Sequence, residues 1–213
     1  MNFFQFKKAA RITLGTLAAI VAIPASAQWY AAVGVGSSSI TGMNGSGAVT
    51  ATTNGTISGF SNETTWKLYG GYQFTPNWGL EAQYTDLGKR SGTLTLSGAV
   101  VGTAGLSASA SEWGLAGTGT IPLSNNFYLM GKLGASRNRT DNVTATIGAV
   151  SLAGNAQNKT GLLAGLGIGY NINKNLGIRL EYEDFGKFSS NGGINGTSSI
   201  RADNWAISLK YAF

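Results

Sequence analysis

Eight charged side chains stand out by their spacing: Lys67, Glu81, Glu112, Lys132, Arg179, Glu181, Glu183 and Lys210. Each occupies the alternate position of a run whose other positions are apolar, so all eight share the face opposite the apolar one. Cations and carboxylates held together out of water can pair with one another or move protons. Lys132 with Glu81 and Glu183 is the group from which acid–base or serine–lysine chemistry could be assembled. The chain contains neither histidine nor cysteine, which removes imidazole bases, thiolate metal sites and disulfides. No catalytic residue, metal site or cofactor site is therefore expected, and the eight side chains read as an internal ion-pair network.

The elements that hold them follow from a period of two. Trp205, Ile207, Leu209, Tyr211 and Phe213 alternate with Ala206, Ser208, Lys210 and Ala212, a strand with one apolar face that ends on an aromatic residue. The same alternation runs from Trp29, Trp66, Trp78, Trp113, Phe127, Leu162 and Leu176, which makes eight strands. Short turns are expected at 75–77, 122–126 and 173–175. Long polar, mobile loops are expected over 37–62, 89–110, 138–159 and 189–198. Short and long connections alternate strictly. Outward aromatics gather near the short turns (Trp29, Phe74, Trp78, Phe127, Tyr211, Phe213) and toward the loops (Trp66, Tyr84, Trp113, Trp205). Two aromatic girdles around an apolar band describe an all-β, eight-stranded antiparallel transmembrane barrel, an up-and-down meander. A soluble barrel or sandwich would turn the apolar set inward and leaves aromatics at both ends of it unexplained.

Composition agrees. Thirty-two glycines and only 11% charged residues are unusual for a water-soluble domain of 213 residues. The amino-terminal segment reads as a secretory signal peptide: Lys7, Lys8 and Arg11, an apolar run to Ile23, then Ala25-Ser26-Ala27 as cleavage site. Residues 1–27 are thus expected to be removed, leaving 28–213 as one barrel domain. The net charge of +6 owes half its value to that leader, which excludes a nucleic-acid partner. No apolar run outside it is long enough for a membrane-spanning helix, so entry into a membrane requires a closed barrel.

The strands resemble the membrane domain of the OmpA-like outer-membrane proteins of Gram-negative bacteria. The likeness rests on Trp29-Tyr30, Gly70-Gly71-Tyr72-Gln73, Gly79-Leu80-Glu81 running to Tyr84-Thr85-Asp86-Leu87-Gly88, Gly161 to Tyr170, Arg179-Leu180-Glu181-Tyr182 and the terminal Ser208 to Phe213. It implies a monomer in the cell outer membrane, exported through the periplasm and inserted by the outer-membrane assembly machinery, which reads Tyr211 and Phe213. It also implies that Glu81, Arg179 and Glu181 belong to a charged interior. Thr118 and Gly169 stand where the family places a lysine and a glutamate, so a switch between ion pairs is not carried over. Neither is cell-wall anchoring, because the peptidoglycan-binding domain has no counterpart here.

Three classes of function remain. An enzyme is disfavoured by the missing histidine. A narrow porin-like channel for small solutes is favoured by inward glycines (Gly34, Gly71, Gly114, Gly134, Gly165, Gly167, Gly169, Gly177) and opposed by balanced lumen charge, which should pair and plug an eight-stranded bore. A structural and surface-interaction role through the loops is the expectation that best suits both. Outer-membrane lipid and lipopolysaccharide are the expected partners, with Arg137, Arg139 and Arg201 as candidate phosphate contacts at the loop-side rim, where Arg90 is also placed.

Overall fold

The computed structural model describes residues 28–147, 150–153, 155–192 and 198–213. The leader expected over 1–27 lies outside these residues. The described chain forms one antiparallel sheet of eleven strands. They are β1 (Gln28–Thr41), β2 (Gly45–Thr50), β3 (Thr53–Ser58), β4 (Glu63–Gln73), β5 (Trp78–Gly98), β6 (Gly102–Pro122), β7 (Phe127–Ile147), β8 (Val150–Ala153), β9 (Gln157–Asn171), β10 (Leu176–Gly192) and β11 (Ser198–Ala212). Eight of them close a ring in the order β1–β4–β5–β6–β7–β9–β10–β11, and β11 pairs back onto β1 from Tyr30↔Ala212 to Thr41↔Arg201. Full closure removes the sheet edges that would otherwise expose unpaired peptide groups to lipid.

The short turns sit where their side chains can replace backbone partners. Thr75 Oγ1 accepts from the amides of Asn77 and Trp78, and Asn173 Oδ1 accepts from Asn175 and Leu176. Asn125 and Asn126 take the left-handed conformation in the middle turn, at φ 58° and 66°, which asparagine tolerates better than most residues.

The opposite end corrects the expectation of long mobile loops. A tilted strand needs about 9–11 residues to cross a bilayer, whereas β5, β6 and β7 have 21 each. Most of 89–110 is the paired extension of β5 and β6, in register from Lys89↔Ser109 to Leu96↔Gly102. The segment 138–159 carries the ends of β7 and β9 with β8 against β7, and 37–62 contains the β2–β3 hairpin, whose β3 pairs with Thr93–Gly98. Serine, threonine and glycine predominate in these stretches. They suit loops, but they form paired strands here because each has a long strand beside it to satisfy its peptide groups. Residues 193–197 of the fourth segment are outside the described set.

Two β-bulges matter for what lies inside. They fall between Asp86 and Lys89 on β5 and between Asp184 and Lys187 on β10. Each bears the pattern Asp-(Leu/Phe)-Gly-Lys, with the aspartate Oδ1 accepting from the glycine amide (2.8 Å for Gly88, 2.7 Å for Gly186). Gly88 and Gly186 have φ of +80° and +71°. A bulge adds one residue to its strand and so reverses which side chains face inward beyond it.

Candidate functional site

The outer wall is apolar between two rings of aromatic contacts. Near the short turns, Trp29 packs at a tilt on Tyr72 at 4.8 Å and Phe127 on Tyr170 at 4.8 Å, and Tyr211 meets Phe213 edge-on at 5.2 Å between ring centres. Toward the long end, Tyr84 lies between Trp66 (5.2 Å) and Trp113 (4.8 Å), and Tyr182 meets Trp205 at 4.9 Å. Between the rings, Val33, Leu68, Leu115, Leu133 and Leu166 stand more than half exposed, Leu166 at 70%, and Leu209 about half. A continuous apolar belt around the whole circumference has no counterpart on water-soluble proteins, whose apolar patches are local.

Inside, at mid-height, is a compact ion cluster. Lys132 Nζ lies 2.8 Å from Glu81, 2.8 Å from Glu181 and 2.7 Å from Glu183, and it donates to Gln83 Oε1 at 3.0 Å. Lys67 reaches Glu183 at 2.7 Å and Glu181 at 3.2 Å. Arg179 Nη2 contacts Glu81 at 2.8 Å and Glu181 at 3.1 Å. Tyr30 donates its hydroxyl to Glu81, and the Tyr69 ring packs beneath the Arg179 guanidinium at 4.0 Å. Three cations balance three carboxylates, and none of the six side chains is more than 3% exposed. Such a cluster is strong against loss of one member, because the survivors are left as uncompensated charge in a dry lumen.

Two of the eight expected members stand apart from these pairs. Glu112 is fully buried on the long-end side and, among the described residues, accepts only from Gln83 Nε2 at 3.0 Å and has no cation in pairing range. Lys210 lies on the short-turn side between two phenol faces, 5.4 Å from the Tyr30 ring centre and 5.1 Å from that of Tyr128. The expectation that Lys210 pairs with a glutamate is therefore corrected. The carboxylate it faces, Glu81, is already held by Lys132, Arg179 and Tyr30.

Inward glycines do not leave water-filled gaps at this level. The Tyr30 phenol occupies the space over Gly71, the Tyr128 phenol that over Gly169, and the Lys132 stem that over Gly165, while Glu112, Leu163 and Gln83 crowd Gly114. Large side chains fold into the positions that small ones vacate, which packs the bore.

Above the cluster the lumen turns apolar. Leu87 and Phe185, still on the inward parity of their strands, point inward at 0% exposure and pack with Leu163, Phe188, Ala110, Ala116 and Ala202. Arg90, expected at the solvated rim, is instead buried among them. Its guanidinium donates to the Leu87 and Ser38 carbonyls at 2.9 Å and to the Ser38 hydroxyl. The parity reversal past Gly88 explains the difference, since simple alternation places position 90 outside. The Phe185 carbonyl, freed by its own bulge, accepts from Ser136 and Asn138 at 2.8 Å.

Below the cluster a cavity of about 800 Å³ opens among the short turns. Arg179, Tyr30, Tyr128 and Lys210 line its inner part, and amide side chains line its mouth. Among the described residues no group of three metal-ligating side chains is assembled.

The three candidate lipopolysaccharide contacts all face outward near the long end, exposed. Arg139 pairs with Asp141 at 2.5 Å and Arg201 with Asp184 at 2.9 Å, while Arg137 stands in register with Trp113. They do not converge on one point, since β9 and β10 lie between β7 and β11 in the ring. At the other end, the Phe213 amide donates to the Trp29 carbonyl at 2.9 Å, and its own carbonyl accepts from Gln28 Nε2 at 3.0 Å.

Among curated proteins none matches the chain in sequence. Solved structures do match in fold. OprG from Pseudomonas aeruginosa aligns with a TM-score of 0.58 at 15% identity over 88% of this chain and 96% of its own. Neisserial surface protein A aligns at 0.57 and 12% identity, over 88% and 99%. Ail of Yersinia pestis, solved with the heparin analogue sucrose octasulfate, aligns at 0.53 and 15% identity, over 88% and 99%. The family described as the OmpA-like transmembrane domain matches residues 24–212. With its closed ring, apolar belt and charged interior, the chain belongs to this family of bacterial outer-membrane β-barrels.

Proposed function

We propose that this barrel works at its surface rather than through its bore, as a structural and surface-interaction protein without enzymatic activity. The observation that carries the reading is the closure of the lumen. An ion cluster at no more than 3% exposure is capped by Leu87 and Phe185 at 0%, two successive close-packed layers across the bore. What is left to meet other molecules is the outer wall and the strand-paired hairpins above it. Hairpins on a rigid scaffold are suited to presenting a binding surface. Rim arginines already balanced by Asp141 and Asp184 keep donors free for lipid phosphates. A monomer inserted by the outer-membrane assembly machinery, with Tyr211 and Phe213 as the recognised end, completes the reading.

Planar-bilayer recording of the reconstituted protein tests it. Electrical silence is expected, and a stable unitary conductance would overturn it in favour of a narrow porin-like channel. That second reading draws on one observation, the cavity of about 800 Å³ reaching from the short turns to Arg179.

A further inference from the structure

We infer that the cavity at the short-turn, periplasmic end of the lumen binds a small hydroxyl-rich organic acid, with Lys210 as the counter-ion of its carboxylate. This site is independent of the surface role proposed above. Its volume of about 800 Å³ falls in the range of small-molecule pockets, about 300–1,000 Å³.

The charge of the cavity is one-sided. Its charged lining residues are Arg179, Lys174 and Lys210, and no carboxylate lines it. The charge of Arg179 is balanced by Glu81 and Glu181 through Nη2, whereas the Lys210 ammonium, among the described residues, makes no ion pair and lies against the faces of Tyr30 and Tyr128. Aromatic faces hold a cation in place but bring no counter-charge. The three carboxylates of the ion cluster are matched by its three cations, and Glu112 lies beyond the cluster toward the other end. An ammonium of one sign in a recess with low-dielectric walls concentrates anions.

The mouth selects what carries the anion. Gln28, Gln73 and Asn175 each spend their amide nitrogen on a backbone carbonyl, those of Phe213, Pro76 and Ala212. Their side-chain oxygens accept no hydrogen bond among the described residues. These three unspent acceptors take hydroxyl donors. One carboxylate inward and several hydroxyls outward is the chemistry of a sugar acid.

Galacturonate and galactose share their ring hydroxyls and differ in the carboxylate, so the pair isolates the role of Lys210. Titration calorimetry of the protein in lipid nanodiscs, which leave both ends open, should show galacturonate binding at least tenfold more tightly than galactose. Lys210→Met should reduce galacturonate to the level of galactose, and Lys210→Arg should keep the preference. Thr120→Trp, which fills the cavity without touching charge, should abolish binding in a barrel that still migrates as folded on a gel. Lys89→Gln at the far end should change nothing. Equal binding of the two sugars, no binding of galacturonate, retention of the preference in folded Lys210→Met or Thr120→Trp, or its loss in Lys89→Gln would each overturn the assignment. None of these readouts depends on conductance.

Discussion

Lys132 and Glu183 meet at 2.7 Å from strands that are not neighbours, with Gly165 of β9 in register with both of them. A side chain at Gly165 would press on Lys132 Cγ at 3.0 Å and Cε at 3.2 Å, so the glycine opens the path by which the ion pair bridges across a strand. Lys132→Met, which keeps the stem and removes the charge, should destabilise the barrel by about 3–5 kcal/mol. Urea titration of the reconstituted protein, followed by the folded-to-unfolded gel shift, measures it. The double variant Lys132→Met with Glu183→Gln should recover part of that loss. Equal midpoints for wild type and Lys132→Met would mean that the cluster does not hold the lumen.

The paired bulges depend on two backbone conformations. Gly186→Ala and Gly88→Ala each force an L side chain into the left-handed region, at a cost of about 1–2 kcal/mol. At Gly186 the added Cβ would also meet the Leu162 carbonyl oxygen at 3.0 Å. Gly45→Ala, with nothing within 4 Å of the new atom, should stay within about 0.5 kcal/mol of wild type in the same urea titration.

Rim arginines bear on lipid. Replacing Arg137, Arg139 and Arg201 together with glutamine should lower the lipopolysaccharide that co-purifies from outer membranes, read by lipid A mass spectrometry, and leave the unfolding midpoint little changed. Exposed pairs such as Arg139–Asp141 are screened by water and contribute little to folding, so the two readouts separate. Unchanged lipid retention would remove these residues from lipid recognition.

Deleting Phe213 should depress the amount of folded protein in outer membranes severalfold, measured by heat-modifiable migration in cell envelopes. Refolding into detergent micelles should fall far less, since the residue contributes two hydrogen bonds and one ring contact. Full insertion in cells without Phe213 would show that the chain end is not read during assembly.

How much of this could be seen in the residues alone follows the physics of each element. Alternation placed Trp66, Trp113 and Leu166 outward and Lys67, Glu81 and Arg179 inward, because lipid sorts the two faces at about 2–4 kcal/mol per misplaced charge. The same rule failed past Gly88 and Gly186, where one extra residue reverses the facing and carries Arg90 into the lumen. A sign of it was present: Asp86-Leu87-Gly88-Lys89 and Asp184-Phe185-Gly186-Lys187 repeat the same Asp-x-Gly turn chemistry in two strands. Pairing inside the lumen was legible as a balance of signs but not as partners. Whether Lys210 or Lys132 reaches Glu81 depends on strand tilt and stagger around the ring, which the period of two does not encode. The polar extensions of β5 to β7 were hidden for a different reason. Serine, threonine and glycine become strand only when a neighbour lies beside them, a context that local composition cannot express.

The seam between β1 and β11 has a kinetic meaning. It joins the two ends of the described chain, with Gln28 and Phe213 hydrogen-bonded across 185 positions of sequence. The other ring contacts link strands that follow one another closely, so they can form as successive hairpins at small cost in chain entropy. Closing the seam brings together the most distant partners, and only a nearly complete sheet holds them near each other. Chain entropy therefore places it late in folding. Until it happens, both margins carry unpaired peptide groups that a bilayer does not tolerate. Phe213 sits on that final margin, where a folding catalyst would need to hold the chain until the ring shuts.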